Sequence, residues 1–334
     1  MAVGSAKLVL GVSVLAYLFW CALQGDSLQQ LTTQPKDWWL LAAAVALAAV
    51  AISLGFVRWF CVARAAGIAL SLPEALRVGA LGFALNFVGP GAVSGDLYKA
   101  VVLARGERGK RAAAVTTIVV DRVAGLATML LVAGVAYRFC QPQGATQPPA
   151  EVGIAFDTAL LVSLAITACI AVLFVPGVAG PGLERLVGRV PAIGGPLAAL
   201  VRTWGVYRTH KAWLGAVLLA CLAIDALLVA SFYCVALGLP FDAPSFWQHL
   251  AIVPFELTAA AVIPTPNGAG GREAVVAWLY DGFGFDFDDG FLIAFGHTLV
   301  LLTVGAGSTV YYFARRSSVR PPATEAETLP PTSV

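Results

Sequence analysis

Three short charged stretches interrupt an otherwise apolar chain: "SGDLYK" carries Asp96 and Lys99, "VVDRVAG" carries Asp121 and Arg122, and "GGREAV" carries Arg272 and Glu273. Lysine and arginine in such places are anion ligands, and the planar fork of arginine matches a phosphate. The first and third stretches each follow a Gly/Pro-rich break, "GPGAVSG" at 89 to 95 and "PTPNGAG" at 264 to 270, the latter opening on Pro264. A helix that starts after such a break turns its unpaired N–H groups and its positive dipole end toward the break, which favours an anion there. Lys99 and Arg272 add full charge near the two tips, while Asp96 and Glu273 read as first-turn or capping carboxylates.

Asp121 and Arg122 stand about ten residues into an apolar run. Each ionised group at that depth costs roughly 2.5–3.5 kcal/mol unless it is paired. Adjacent residues on a helix point about 100° apart and do not face each other. The expected partners are therefore on other segments: Asp121 with Lys99 or Arg272, and Arg122 with Asp96 or Glu273. A lattice of fixed ion pairs that holds the breaks in place is compatible with an anion site, since it also sets the potential there. Asp225, Glu256 and His297 are the other deep polar groups. They are candidates for proton coupling, because burial raises a carboxyl and histidine titrates near neutrality. Enzyme signatures such as GxSxG, HExxH or a P-loop are absent, and three scattered histidines make no metal site. The expectation is a non-enzyme with no cofactor.

The elements that must position these groups follow from composition. Of 334 residues, 59% are hydrophobic and 12% charged, with a mean hydropathy of +0.83. Soluble domains carry about 25% charged residues, so this is an all-α polytopic membrane protein. A net charge of +2 gives no reason to expect a nucleic-acid partner. The six cysteines have no CxxC pairing or metal-ligand spacing and read as small hydrophobes. The apolar N-terminal run has no small-x-small cleavage site and reads as a retained span. The polar, Pro-rich stretch 315 to 334 reads as a disordered tail.

About 20 apolar residues are needed to cross roughly 30 Å of hydrocarbon. Six segments qualify, at about 8 to 24, 38 to 57, 112 to 137, 154 to 176, 212 to 237 and 289 to 313. Seventeen of the 21 basic residues fall on one side if both termini are cytoplasmic, with Arg58, Arg64 and Arg77 counted in the loop after the second span. Basic flanks at both ends send the broken segment 72 to 105 in from the cytoplasm and back. Acidic or neutral flanks send 246 to 281 in from the outside and back. The reading is six spanning helices and two oppositely oriented re-entrant hairpins. They belong to a single membrane domain over 1 to 314, with inverted halves at about 7 to 140 and 151 to 314. Such paired interruptions point to a transporter site near the bilayer midplane. Broken backbone at that depth must be buried in protein or line a wet cavity, so the two breaks are expected to face each other or a common cavity. The stretch 183 to 205 is too interrupted to span and is assigned to the cytoplasmic interface.

In "NFVGPGAVSGDLYKAVVL" (86 to 103), "TTIVVDRVAGL" (116 to 126) and "IPTPNGAGGREA" (263 to 274) the chain resembles the flippase-like membrane family that includes the transmembrane region of lysylphosphatidylglycerol synthases. The resemblance extends over about 7 to 314. It implies site positions at Asn86, Pro90, Gly91, Gly95, Asp96, Lys99, Asp121, Arg122, Pro266, Gly268, Gly270, Arg272 and Glu273. Lys99 stands where the family commonly has arginine, and Asn267 where it commonly has glycine. Lysine keeps the charge but loses the fork, which can alter headgroup choice, whereas asparagine tolerates a left-handed turn. The resemblance covers the membrane portion and not the aminoacyl-transfer domain that larger members carry, so synthesis of lysyl-lipid is not expected. The expected function is movement of a phospholipid or lipid-linked phosphate headgroup between leaflets of a bacterial-type cytoplasmic membrane. Asn86, Lys99, Arg122, Asn267 and Arg272 would contact the headgroup. The alternatives are a small-solute or ion transporter, and a non-transporting factor that binds an envelope lipid-synthesis enzyme.

Overall fold

The computed structural model describes residues 27–89, 93–106, 111–140, 148–175, 180–190, 211–263 and 265–315, with residues 13, 16, 20, 178, 194, 198, 201, 202 and 204 besides. Among the described residues every regular element is helical: α1 (Ser27–Thr33), α2 (Trp38–Ala65), α3 (Leu72–Leu85), α4 (Ser94–Gly106), α5 (Arg111–Phe139), α6 (Ala150–Phe174), α7 (Pro181–Gly188), α8 (Lys211–Gly238), α9 (Phe246–Val262), α10 (Gly271–Gly282) and α11 (Phe287–Ala314). Five of these, α2, α5, α6, α8 and α11, contain stretches long and apolar enough to cross a membrane. The expected first span, at 8 to 24, lies outside the described residues apart from three single positions. So do Pro90, Gly91, Pro264, most of 189 to 205 and the tail beyond Arg315.

Helix starts follow local chemistry. The Asp37 carboxylate accepts from the N–H groups of Trp39 (2.9 Å) and Leu40 (3.2 Å), and so opens α2. Asp286 does the same for α11 through Asp288 and Asp289. Ser245 and Gln248 form a reciprocal cap on α9.

The core is built where α2 and α8 run antiparallel, with Asp37 N–H donating to the Gly238 carbonyl (3.0 Å) at one end. Ala44, Ala48 and Ala51 repeat on one face of α2 and are fully buried. Their small side chains let the backbones approach, and the Ser231 hydroxyl reaches across to the Ala44 carbonyl at 2.8 Å. Around this pair pack α5, α9 and α11.

α2 does not stop at residue 57 as expected but continues to Ala65. No glycine or proline between 57 and 65 ends it, and at 1.5 Å per residue its 28 residues extend about 42 Å. Arg58 is therefore a helix residue facing the core rather than a loop charge, which corrects its place in the orientation count.

The interrupted segments form helix–break–helix pairs, α3 with α4 and α9 with α10, each packed arm on arm. Their arms have 14, 13, 17 and 12 residues, about 18–26 Å each, too short to cross roughly 30 Å of hydrocarbon. α7 is likewise only eight residues long.

Candidate functional site

In the first hairpin the Asn86 side chain ends α3 and accepts from the Gly95 N–H at 2.8 Å, which staples the two arms. The arms touch backbone to backbone, since a Cβ on Gly95 would come within 2.0 Å of the Gly82 carbonyl oxygen. α4 thus begins beside the tip, with Asp96 in its first turn and Lys99 one turn later. Arg122 of α5 grips Asp96 with two bonds, Nε to Oδ2 at 2.5 Å and Nη2 to Oδ1 at 2.9 Å. Lys99 Nζ stands 3.5 Å from Asp96 Oδ1 and 5.4 Å above the centre of the Trp59 ring. The expected Arg122–Asp96 pair is present.

The expected pairing of Asp121 with Lys99 or Arg272 is not. Asp121 accepts from Arg58, Nε at 2.8 Å and Nη2 at 3.2 Å. The helical offset between neighbours sends Arg122 toward the hairpin and Asp121 toward α2, and the longer α2 supplies the arginine. Gly125, one turn on, leaves room for that guanidinium, because a Cβ there would sit 3.0 Å from Arg58 Nη1. Arg58 is the site residue that the reading of loops missed. The signal available for it was the unbroken helical run from Trp38 to Ala65.

In the second hairpin the chain turns through a short 3-10 segment, Pro266–Gly268, in which Asn267 is left-handed at φ 49°. Asn267 N–H donates to the Asn86 carbonyl at 2.9 Å, so the second break meets the end of α3. Glu273 caps α10 by accepting from the Gly270 N–H (2.7 Å), and accepts from Thr298 of α11 (2.5 Å). Arg272, wholly buried, pairs with Glu256 from the other arm, Nε to Oε1 at 3.1 Å with a second contact through Nη2. His297 of α11 completes a triad, with Nδ1 at 3.0 Å from Glu256 Oε1 and 3.4 Å from Arg272 Nη2. Asp225 is not part of it. Buried on α8, it has no hydrogen-bond partner on either carboxyl oxygen among the described residues.

Between the hairpins lies a cavity of about 180 Å³, far more than the roughly 10–15 Å³ that one water needs. Asn86, Lys99, Arg122, Asn267 and Arg272 all line it, together with Arg58 and Asp121. Its remaining wall is apolar and includes Ile52, Phe56, Phe83, Leu228, Leu257 and Leu301. Two of the lining residues each carry a buried donor, Arg272 Nη1 and Asn267 Nδ2, that has no hydrogen-bond partner among the described residues. Among the described residues no group of three His, Cys, Asp or Glu side chains is placed to hold a metal ion.

Long apolar helices around a buried, ion-paired cavity define an integral membrane protein. The chain belongs to the lysylphosphatidylglycerol synthase TM region family, whose model matches residues 6–307. That span contains all three motifs and every helix described apart from the last turns of α11. No curated protein matches the chain.

Proposed function

We propose that the protein is a lipid flippase-like transporter that moves a phospholipid or lipid-linked phosphate headgroup between leaflets, without a catalytic role of its own. The observation that carries this is that two residues lining a single cavity, Arg272 and Asn267, each hold a buried donor, Nη1 and Nδ2, with no hydrogen-bond partner among the described residues. A buried donor without an acceptor costs about 1–3 kcal/mol, and an oxyanion in the cavity removes that cost. Arg58 is paired with Asp121 and Arg272 with Glu256, while Lys99 and Arg122 both lie against Asp96.

A lipid is favoured over a soluble anion by the other side of the wall. Ile52 and Phe56 also line an apolar groove of about 600 Å³ between α2, α3 and α11, with Leu76, Ala80 and Val304. Acyl chains can lie along this groove while the headgroup sits in the cavity. On this reading the short arms make two re-entrant hairpins of opposite orientation in an inverted repeat. The protein sits in a bacterial-type cytoplasmic membrane, with both termini cytoplasmic.

Gly55 provides a test that disturbs no charge. It lines the cavity on α2, and a Cβ there meets nothing within 4 Å. Gly55→Leu should fold at least as well as the parent, since glycine inside a helix costs about 1 kcal/mol. In proteoliposomes its movement of a fluorescent phosphatidylglycerol should fall at least tenfold. An unchanged rate with the cavity plugged would remove this site from the transport path. Lys99→Met leaves Asp96 held by Arg122, and should erase a preference for phosphatidylglycerol over phosphatidylcholine while retaining the folded state. Uptake of a water-soluble anion by vesicles in which lipid does not move would select the small-solute reading instead.

A further inference from the structure

The transport reading leaves the Glu256–Arg272–His297 triad with no role beyond holding Arg272, yet it is built with open valences. All three side chains are wholly buried, and Glu256 Oε2, Arg272 Nη1 and His297 Nε2 lack partners among the described residues. The 3.0 Å contact between His297 Nδ1 and Glu256 Oε1 requires a hydrogen between them, because two bare lone pairs at that distance repel. With that hydrogen on Nδ1, a neutral His297 has its free lone pair on Nε2. In that tautomer a buried ring nitrogen with no hydrogen-bond partner among the described residues adjoins the carboxylate that pairs with the cavity arginine.

We infer that this triad is a proton-binding site filled together with the anion, so that one proton accompanies each anionic headgroup; the inference rests on the transport reading above. The empty triad sums to zero charge, with Arg272 against Glu256 and a neutral His297. An anion that accepts from Arg272 Nη1 adds one negative charge to a water-poor interior, where uncompensated charge is costly. It also competes with Glu256 for the guanidinium. A proton bound at His297 Nε2 turns the ring into a cation 3.0 Å from Glu256 Oε1 and restores neutrality. No bond other than N–H forms, and the proton leaves when the anion leaves.

The surroundings suit this exchange. Phe232 of α8 packs its ring against His297 with centroids 5.0 Å apart and keeps water from that face. Glu273 on α10 is already held by Gly270 and Thr298. Tyr280, also on α10, is bonded to His249 of α9 at 2.8 Å. Lys99, Arg122, Arg58 and Asp121 face the same cavity from the other hairpin side, the first two against Asp96 and Arg58 against Asp121. They attract the anion but offer no equivalent vacant base.

The test uses the full chain in phosphatidylcholine vesicles containing a trace of fluorescent phosphatidylglycerol, with the membrane voltage clamped and a gradient of one pH unit imposed. Coupling of one proton to one anion drives the probe toward about a tenfold asymmetry between leaflets, the equivalent of one pH unit. His297→Asn keeps a donor near the Nδ1 position and removes the base, so its asymmetry should vanish. The ratio with and without gradient is read in the same vesicles, so a slower variant still reports it. Asp225→Asn should retain the asymmetry. Equal distribution in the parent while the probe still crosses overturns the coupling but not the transport reading. Loss of asymmetry in the Asp225 variant with retention in the His297 variant overturns the assignment to this triad. A probe that never crosses overturns the transport reading and the coupling with it.

Discussion

Arg272→Ala is expected to lower stability by about 3–5 kcal/mol, because it leaves Glu256 as a buried charge with no arginine. Both partners are essentially inaccessible to solvent, at 1% and 0% side-chain exposure, so water cannot take over the role of the lost cation. The loss should appear as a large drop in melting temperature in detergent and as poor recovery of folded protein. Lost transport in this variant would say little by itself, since the fold is compromised too. The double replacement Arg272→Met with Glu256→Gln separates the two effects. Exchanging a buried ion pair for groups of similar volume is commonly neutral. The double variant should therefore recover most of the lost stability, yet its lipid movement in proteoliposomes should stay at least tenfold below the parent. Full transport by the double variant would show that Arg272 is a strut and that the anion binds elsewhere.

Gly268→Ala is expected to cost about 2–5 kcal/mol, far more than a single methyl group at an ordinary surface position. Its φ of 72° is a conformation in which alanine is strained by about 1–2 kcal/mol. Its new Cβ would also lie 2.4 Å from the Ala260 Cα, a backbone atom of the opposing arm, and such overpacking adds about 1–3 kcal/mol. The tip must move to accommodate it, carrying Asn267 away from the Asn86 carbonyl and separating the two hairpins. The neighbouring change Asn267→Gly should behave in the opposite way. Glycine accepts the left-handed φ of 49° and keeps the 2.9 Å backbone bond to Asn86, so melting should hardly change. What it removes is the unpartnered Nδ2 donor at the cavity. Anionic headgroup affinity should then fall about tenfold, as expected for a hydrogen bond to a charged group worth about 1.5 kcal/mol. Equal melting of parent and Gly268→Ala would mean that the tips do not depend on this close approach.

Much of the site was legible because its physics is local. A Gly/Pro run inside an apolar segment must be protected from hydrocarbon, so the burial of the second break against the end of α3 could be expected from backbone polarity alone. The left-handed tolerance of Asn267 and the capping role of Glu273 are likewise properties of a few consecutive residues. The partners of buried charges were harder. Asp121 could be seen to need a cation, but the one it takes, Arg58, is 63 residues away on a helix that runs on past the expected end at 57 to Ala65. Glu256 and His297 were visible as deep polar groups, but nothing in their spacing joined them to Arg272.

The sequence by itself determined that this is a membrane protein of apolar helices with two interrupted segments and a set of charges too costly to leave unpaired. Those are consequences of composition and of short-range backbone chemistry. The tertiary structure alone decided which charges neutralise each other and which donors stay open toward a shared cavity. A helix sets the direction of a side chain every 100°, but what lies in that direction depends on how distant helices pack.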